Sequence, residues 1–345
     1  GFDLEILHTP VLLQECLQYL SPVGEPFEEH PFMIDSTLGE GGHSYAFLES
    51  FPQLRILGLD ADAAIQAKAR QRLSVFGNRM DFHLGWFNDF YSNYPENREK
   101  PDIILFDLGI SIFHYEESGR GFSFRKDEVL DMRLNNQAGM SAADLVNTLD
   151  VEALADVLYV YGEERYSRRI ARAIVDARHH ARIDSATALA DIVYRTVPAG
   201  YRHGAVHPAT KTFQALRIAV NGELLRLPQV LPDAFKVLKC GGKMGVITFH
   251  SLEDRIVKTY FRNLGKQCVC PPEMPMCKCG GQPHGEILTR KPILPSKEEV
   301  EKNSPSRSAK LRVIRKLKDV SPENAEFVAV KSSEWDLKVH STCNV

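Results

Sequence analysis

Short apolar runs recur along the first third of the chain, most of them closing on an acidic residue. Phe32–Asp35, Arg55–Asp60, Met80–Leu84 and Asp102–Asp107 are too short for helices and predict buried strands. Ala61–Leu73, which follows the second run, is Ala-rich with helical periodicity. Strands alternating with helices predict βαβ units and a parallel, doubly wound sheet. The alternation stops near Tyr115. From there to about Pro208, Ser141–Asn147, Val151–Tyr161, Ser167–His179 and Thr187–Thr196 read as helices, with Asp150 and Ser185 as caps. Thr210–Leu225 and Leu231–Leu238 are further predicted helices. Gly241-Gly242 then introduces a strand over Lys243–Phe249, and Glu286–Lys291 with Ala309–Lys316 predict a closing antiparallel pair. The expected fold class is α/β with an all-helical insertion. One discontinuous domain covers 1–114 and 209–320, the insertion covers 115–208, and a loosely packed tail covers 321–345.

Composition changes this picture little. The 345 residues are 43% hydrophobic and 25% charged, an ordinary soluble globular balance. No apolar run approaches the roughly 20 residues of a membrane helix. The start, Gly1-Phe2-Asp3, has no basic n-region, so a cytoplasmic protein without a membrane partner is expected. The net charge of −3 does not announce a nucleic-acid partner, and a local basic face must serve one if it exists. Two segments qualify. Arg165, Arg168, Arg169, Arg172 and Arg178 lie in the insertion, and the first four fall at helical spacing; a solvated helix face explains them equally well. Arg290, Lys291, Lys297, Arg307, Lys310, Arg312, Arg315 and Lys316 form the second.

The candidate chemistry gathers around Asp35-Ser-Thr-Leu-Gly39-Glu-Gly41-Gly42-His43. Glycines here let backbone approach a ligand, though a tight structural turn would use them too. Asp60 closes the next strand, where an acidic side chain accepts hydrogen bonds from ribose hydroxyls; capping the following helix is its plainer role. A dinucleotide site favours Gly-x-Gly-x-x-Gly, which is absent from this turn. Asp35 ahead of the glycines suits the cationic amino-acid end of S-adenosylmethionine (SAM) better than a pyrophosphate. Asp107 closes the fourth strand, at the carboxyl end where reacting groups gather in open α/β sheets. Phe87 is placed either to cover an adenine or to fill core.

Seven cysteines do not suggest a disulfide framework. Cys268-Val-Cys270 and Cys277-Lys-Cys279 could together hold one zinc, but Cys-x-Cys is tighter than the usual Cys-x2-Cys. Reduced thiols are the favoured expectation, and no metal ligand is assigned.

The turn and the segments beyond it carry a resemblance. Besides Asp35–His43, these are His8-Thr9-Pro10-Val11-Leu12-Leu13, Asp107-Leu-Gly-Ile-Ser111, Arg120-Gly-Phe-Ser-Phe-Arg125, Leu130-Asp-Met-Arg133 and Tyr161-Gly-Glu-Glu-Arg165. His207-Pro-Ala-Thr-Lys-Thr-Phe-Gln-Ala-Leu-Arg217 and Phe249-His-Ser-Leu-Glu-Asp-Arg255 complete the set. In this order the chain, from His8 to about Leu317, resembles the RsmH (MraW) family, bacterial SAM-dependent 16S rRNA cytosine-N4 methyltransferases. The resemblance implies a Rossmann-like SAM-dependent methyltransferase sheet with an inserted helical substrate-recognition domain. It implies SAM contacts at Gly41, Gly42, His43, Asp60, Phe87 and Asp107, joining Asp35 and Gly39 from the turn. It also implies methylation of a cytidine in the decoding region of 16S rRNA, with the small ribosomal subunit as partner. One departure stands out: Ser111-Ile112-Phe113-His114 replaces the family's Ser-Ser-Pro-Gln, so His114 occupies the position of a cofactor-contacting glutamine. Asp107 and His250 are the catalytic candidates, His250 with a structural strand-to-helix bond as its alternative. Arg165, Arg168 and Arg169 are the RNA-binding candidates. A homodimer is an open expectation. The rival function is a catalytically weak SAM-fold ribosome assembly factor.

Overall fold

The structure is a computed structural model that describes residues 9–110, 114, 118–134, 139–268, 270–278, 280–331 and 337. His8, Ser111–Phe113 and Cys279 lie outside the described residues, as does the tail beyond 331 apart from 337. In chain order the elements are α1 (Leu13–Tyr19), β1 (Phe32–Asp35), α2 (Gly42–Ser50), β2 (Arg55–Asp60), α3 (Ala63–Leu73), β3 (Met80–Leu84), α4 (Phe87–Ser92) and β4 (Ile103–Asp107). A run of helices follows: α5 (Ala142–Thr148), α6 (Val151–Val160), α7 (Ser167–His180), α8 (Ala186–Thr196), α9 (Ala199–Arg202), α10 (Thr210–Asn221) and α11 (Glu223–Val237). The chain ends with β5 (Lys243–Thr248), α12 (Ser251–Gly265), β6 (Gly285–Ile287), α13 (Lys297–Lys302), β7 (Lys310–Lys316) and α14 (Ala325–Val328).

Two compact units result, one of residues up to Gly109 with Leu227–Lys331, the other Ile110–Arg226. The first holds a seven-stranded sheet in the order β3-β2-β1-β4-β5-β7-β6. Its first five strands are parallel, and β7 runs antiparallel to both β5 and β6. The chain moves outward from β1 to β3, then returns to place β4 on the other side of β1. That reversal opens a crevice at the carboxyl ends of β1 and β4, where ligands bind in open α/β sheets. Helices cover both faces, so β1 is buried at every position and β4 at all but Asp107. Met33, Ile103, Leu105, Leu311 and Val313 belong to the core beneath the sheet's ends. Each such fully buried aliphatic side chain contributes roughly 1.5–3 kcal/mol.

The second unit is helical. Its helix starts carry their own caps: Ser141 and Asp144 form a reciprocal capping box, Asp150 accepts from Ala153 N at 2.8 Å, and Ser185 accepts from Ala188 N at 3.1 Å. Helix α10 buries Phe213, Leu216 and Ala219 and packs on α5 and α6. It therefore sits with the helical unit, and the contact boundary falls at 226/227 where sequence periodicity places it at 208/209. The predicted helix Thr210–Leu225 stops at Asn221 because Gly222 takes a left-handed conformation (φ 60°) as its cap. The next helix starts at Glu223 rather than Leu231 and runs through Pro228 and Pro232.

Candidate active site

The turn between β1 and α2 is held from below by backbone. Leu38 N donates to Leu59 O and Ser36 N to Leu105 O, both at 2.9 Å, so the turn is pinned to β2 and β4. Gly39 (φ 55°) and Gly41 (φ 87°) take left-handed conformations that other residues adopt only under strain. A Cβ at Gly41 would also lie 2.8 Å from Leu73 Cδ1. Gly42 is small for a different reason: a Cβ there would lie 2.5 Å from Pro10 Cγ. Nothing lies within 4 Å of a Cβ built on Gly39, so the loop tip is open to a ligand.

Three strand-end carboxylates surround this turn. Asp60 Oδ2 accepts from Gly39 N at 3.0 Å, and Oδ1 from Asp62 N at 2.8 Å. The helix cap is not Asp60 but Asp62, which accepts from Ala64 N and Ile65 N. Burial pushes the Asp60 carboxyl up to about 6 despite these two amides. With one backbone N–H on each oxygen, the carboxylate keeps acceptor capacity that suits a pair of vicinal hydroxyls. Asp35 is buried, and its oxygens take Ser44 Oγ at 2.7 Å and Thr37 N at 3.3 Å. Burial raises its pKa, opposed by His43 and by the Ser44 hydrogen bond.

Asp107 reaches the crevice with 21% of its side chain exposed, whereas Asp35 is buried. Its own N–H donates to Thr37 Oγ1 at 2.6 Å, and its Oδ1 accepts from Gly109 N at 3.2 Å. Its Oδ2 faces His43 Nδ1 at 3.8 Å. Desolvation raises the Asp107 pKa, and His43 pulls it back down. His43 Nε2 donates to Val11 O at 2.8 Å, which leaves Nδ1 as the nitrogen turned to the carboxylate. The Val11 contact, with the pinning roles of Thr37 and Ser44, is invisible to sequence reasoning. Only their position beside Asp35 and the glycines hinted at it.

Phe87, the first residue of α4, is half-buried with its ring centroid 5.5 Å from that of Phe106. His250 caps α12: its Nδ1 accepts from Glu253 N at 3.4 Å, and Nε2 lies 3.5 Å from Glu253 Oε2. Glu253 reaches back to Phe249 N at 2.9 Å. The ring is thus built into a strand-to-helix joint.

In the helical unit, the His114 ring is buried and lies 5.2 Å from that of Phe122. Arg168, Arg169 and Arg172 are exposed on α7, whose opposite face buries Ile170, Ala171 and Ile174. Arg165 precedes the helix; it is exposed, hydrogen-bonds Tyr166 Oη and stacks its guanidinium 4.6 Å from that ring's centroid. Arg178 has another task, donating to Val146 O and Leu149 O at the end of α5. The Tyr161–Arg165 segment is largely scaffold: buried Glu164 accepts from Tyr166 N at 3.0 Å and from Tyr201 Oη at 2.8 Å.

The second basic segment divides similarly. Arg312 forks onto Asp254 at 2.7 and 3.0 Å, and Lys316, fully buried, donates to Phe235 O and Leu238 O at 2.8 Å. Both are structural. Arg290 lines a cavity of about 290 Å³ with Lys258 and Arg262.

A carboxylate-rimmed glycine turn at the switch point of a mainly parallel sheet is the site of a nucleoside-cofactor enzyme, here of the methyltransferase class. The MraW methylase family profile matches residues 5–317, and the chain belongs to that family. Ribosomal RNA small subunit methyltransferase H of Treponema denticola is 57% identical over 314 residues, which cover 91% of this chain and 98% of that relative. The protein of the same name in Treponema pallidum is 45% identical over 352 residues, covering 90% of this chain and 93% of that relative. That of Clostridium botulinum strain Kyoto is 42% identical over 315 residues, covering 91% and 100%. Among the described residues, no helix is long and apolar enough to cross a membrane.

Proposed function

We propose that this chain transfers a methyl group from SAM to N4 of a cytidine in the decoding region of 16S rRNA, acting in the cytosol on the small ribosomal subunit. The observation that carries the chemistry is Asp107, fixed at a strand end with His43 Nδ1 3.8 Å from its Oδ2. Family membership supports the substrate class.

Bound at the glycine turn, SAM would supply a methyl group on a positively charged sulfur. The open Gly39 tip and the Asp60 carboxylate beside it fit its nucleoside end. Asp60 would accept hydrogen bonds from the ribose hydroxyls, and Phe87 would cover the adenine. Asp35 lends negative potential to the floor of the site, while its bonds to Thr37 and Ser44 keep β1 and α2 in register.

The cytosine N4 lone pair is delocalised into the ring, so the enzyme must aim it and localise it. Asp107 does this by accepting an N4 hydrogen. No strong base is needed before attack. As the carbon–nitrogen bond forms and the carbon–sulfur pair stays on sulfur, N4 becomes acidic. Its proton passes to Asp107 Oδ2, with His43 Nδ1 placed to share it. His250 acts as a positioning residue, holding Phe249 and the start of α12. Arg165, Arg168 and Arg169 engage RNA phosphates, and the helical unit serves as the RNA-recognition part.

Incubation with tritiated SAM and undermethylated small subunits, followed by nucleoside analysis, tests this reading. Label in N4-methylcytidine is expected. Label in another nucleoside overturns the substrate assignment, and SAM binding without transfer would favour an assembly factor.

A further inference from the structure

The chain leaves α12 at Gly265 and rejoins the sheet at Gly285. The described residues between them form neither helix nor strand. The loop is pinned at its ends, Lys266 N to Asn263 O and His284 N to Leu264 O at 2.8 Å in the second case. Between the pins Glu273, Met276 and Lys278 are exposed, Met276 to 75%. A loop of this length with no buried apolar side chain among its described residues needs another source of order.

Its cysteines converge. The Sγ atoms of Cys268, Cys270 and Cys277 all lie within 4.8 Å of one another. Cys268 and Cys277 are 3.6 Å apart, and Cys270 and Cys277 are 4.0 Å apart. Zinc bound to thiolates at about 2.3 Å in a tetrahedron sets sulfur–sulfur edges of about 3.8 Å, which these two separations bracket. A disulfide would bring two sulfurs to about 2 Å. Lys278 N donates to Cys270 Sγ at 3.2 Å, the kind of backbone bond that stabilises and orients a metal-bound thiolate. The tight Cys-x-Cys spacing argued against such a site in the linear sequence. Folding answers that objection, because Cys277 meets both members of the first pair.

We propose that Cys268, Cys270 and Cys277 supply three of the four ligands of a structural Zn²⁺ ion. Clustered soft thiolates select zinc over the hard, oxygen-preferring magnesium and calcium ions. The ion takes the place of a core for this loop and fixes it between α12 and β6. None of the three cysteines belongs to the glycine turn, so the assignment stands independently of the methyl-transfer chemistry.

Metal analysis of untagged full-length protein, purified without chelator, should find stoichiometric zinc. Cys268→Ser, Cys270→Ser and Cys277→Ser should each lose it with the circular dichroism spectrum unchanged. Cys240→Ser, which alters an exposed thiol outside the loop, should retain it. Cobalt added to reduced, metal-free protein should give thiolate-to-cobalt charge transfer and the visible bands of a tetrahedral site. Chelation should make the loop a new trypsin target at Lys266 or Lys278. Metal-free protein with no cobalt spectrum after reduction overturns the proposal. So does a Cys268–Cys277 disulfide in the native protein, or equal zinc loss from Cys240→Ser.

Discussion

The strand-end carboxylates and the arginine face of α7 carry charge in opposite ways. Asp35, Asp60 and Asp107 each accept a backbone N–H; Asp60 is tied in this way to the glycine turn at Gly39, and Asp35 is tied to α2 through Ser44. Arg168, Arg169 and Arg172 stand exposed, placed only by the burial of the helix's other face. A group that must meet a reacting atom within a fraction of an ångström needs several partners to fix it. A group that attracts a phosphate through solvent needs only to share a face with others of its sign. Arg312 belongs to the first kind despite being an arginine, because Asp254 fixes both arms of its fork.

The sharpest test of this contrast is Asp107→Asn. Removing the acceptor charge should slow single-turnover methyl transfer by about 10²–10³-fold. Retention of rate within a few-fold would remove Asp107 from the chemistry.

Asp254→Ala leaves Arg312 buried without its carboxylate and should cost about 3 kcal/mol in denaturant unfolding. Burial opposes the Asp254 charge, but the Arg312 fork and nearby Lys310 hold its pKa below the usual 3.8. The stabilisation is therefore complete above the unfolded value and fades as pH falls through the lower folded one. The gap between variant and parent should close in that acidic window.

Asp60 titrates in the reverse sense. Its folded pKa lies near 6, above the unfolded 3.8, so its ionisation makes stability fall as pH rises between them. In the proposed function its ionised form is the one that accepts ribose hydroxyls. Affinity for the demethylated cofactor should weaken about tenfold between neutral pH and about pH 5. Calorimetry on Asp60→Asn should find that dependence flattened.

The smallest effect falls on the arginine face. Arg168→Ala with Arg169→Ala should weaken RNA binding a few-fold and reduce the log–log salt slope by roughly 1.4, the value for two phosphate contacts. An unchanged slope would leave these residues as a solvated face.

Much of the fold was legible because parallel strands buried on both faces write themselves as apolar runs, and β1, β2 and β4 end on the acids the pattern marks. Asp150 and Ser185 were legible as caps for the same local reason. What escaped depends on residues far apart in sequence. Arg178, Arg312 and Lys316 look like members of basic patches until their partners Leu149, Asp254 and Leu238 are brought to them. His250 and Asp60 both stand where a cap or a ligand contact would serve. Geometry shows His250 capping α12, while the α3 cap is Asp62. The cysteine spacing is silent in the same way, since Cys-x-Cys does not say that Cys277 arrives from nine residues away to lie 3.6 Å from Cys268 and 4.0 Å from Cys270.

The link from His43 to Val11 has a consequence for the order in which the protein is made. Residues 9–12 hold no chemistry, yet Pro10 lies against Gly42 and Val11 O receives His43. The same stretch is held by the far end of the chain: Leu12 N donates to Glu299 Oε1 at 2.9 Å, and Asn303 Nδ2 to Thr9 O at 3.1 Å. A growing chain that has completed β1 to β5 therefore still lacks the residues that clasp this stretch. Leu12 N and Thr9 O meet these partners only once Glu299 and Asn303 have been synthesised, some 290 positions later.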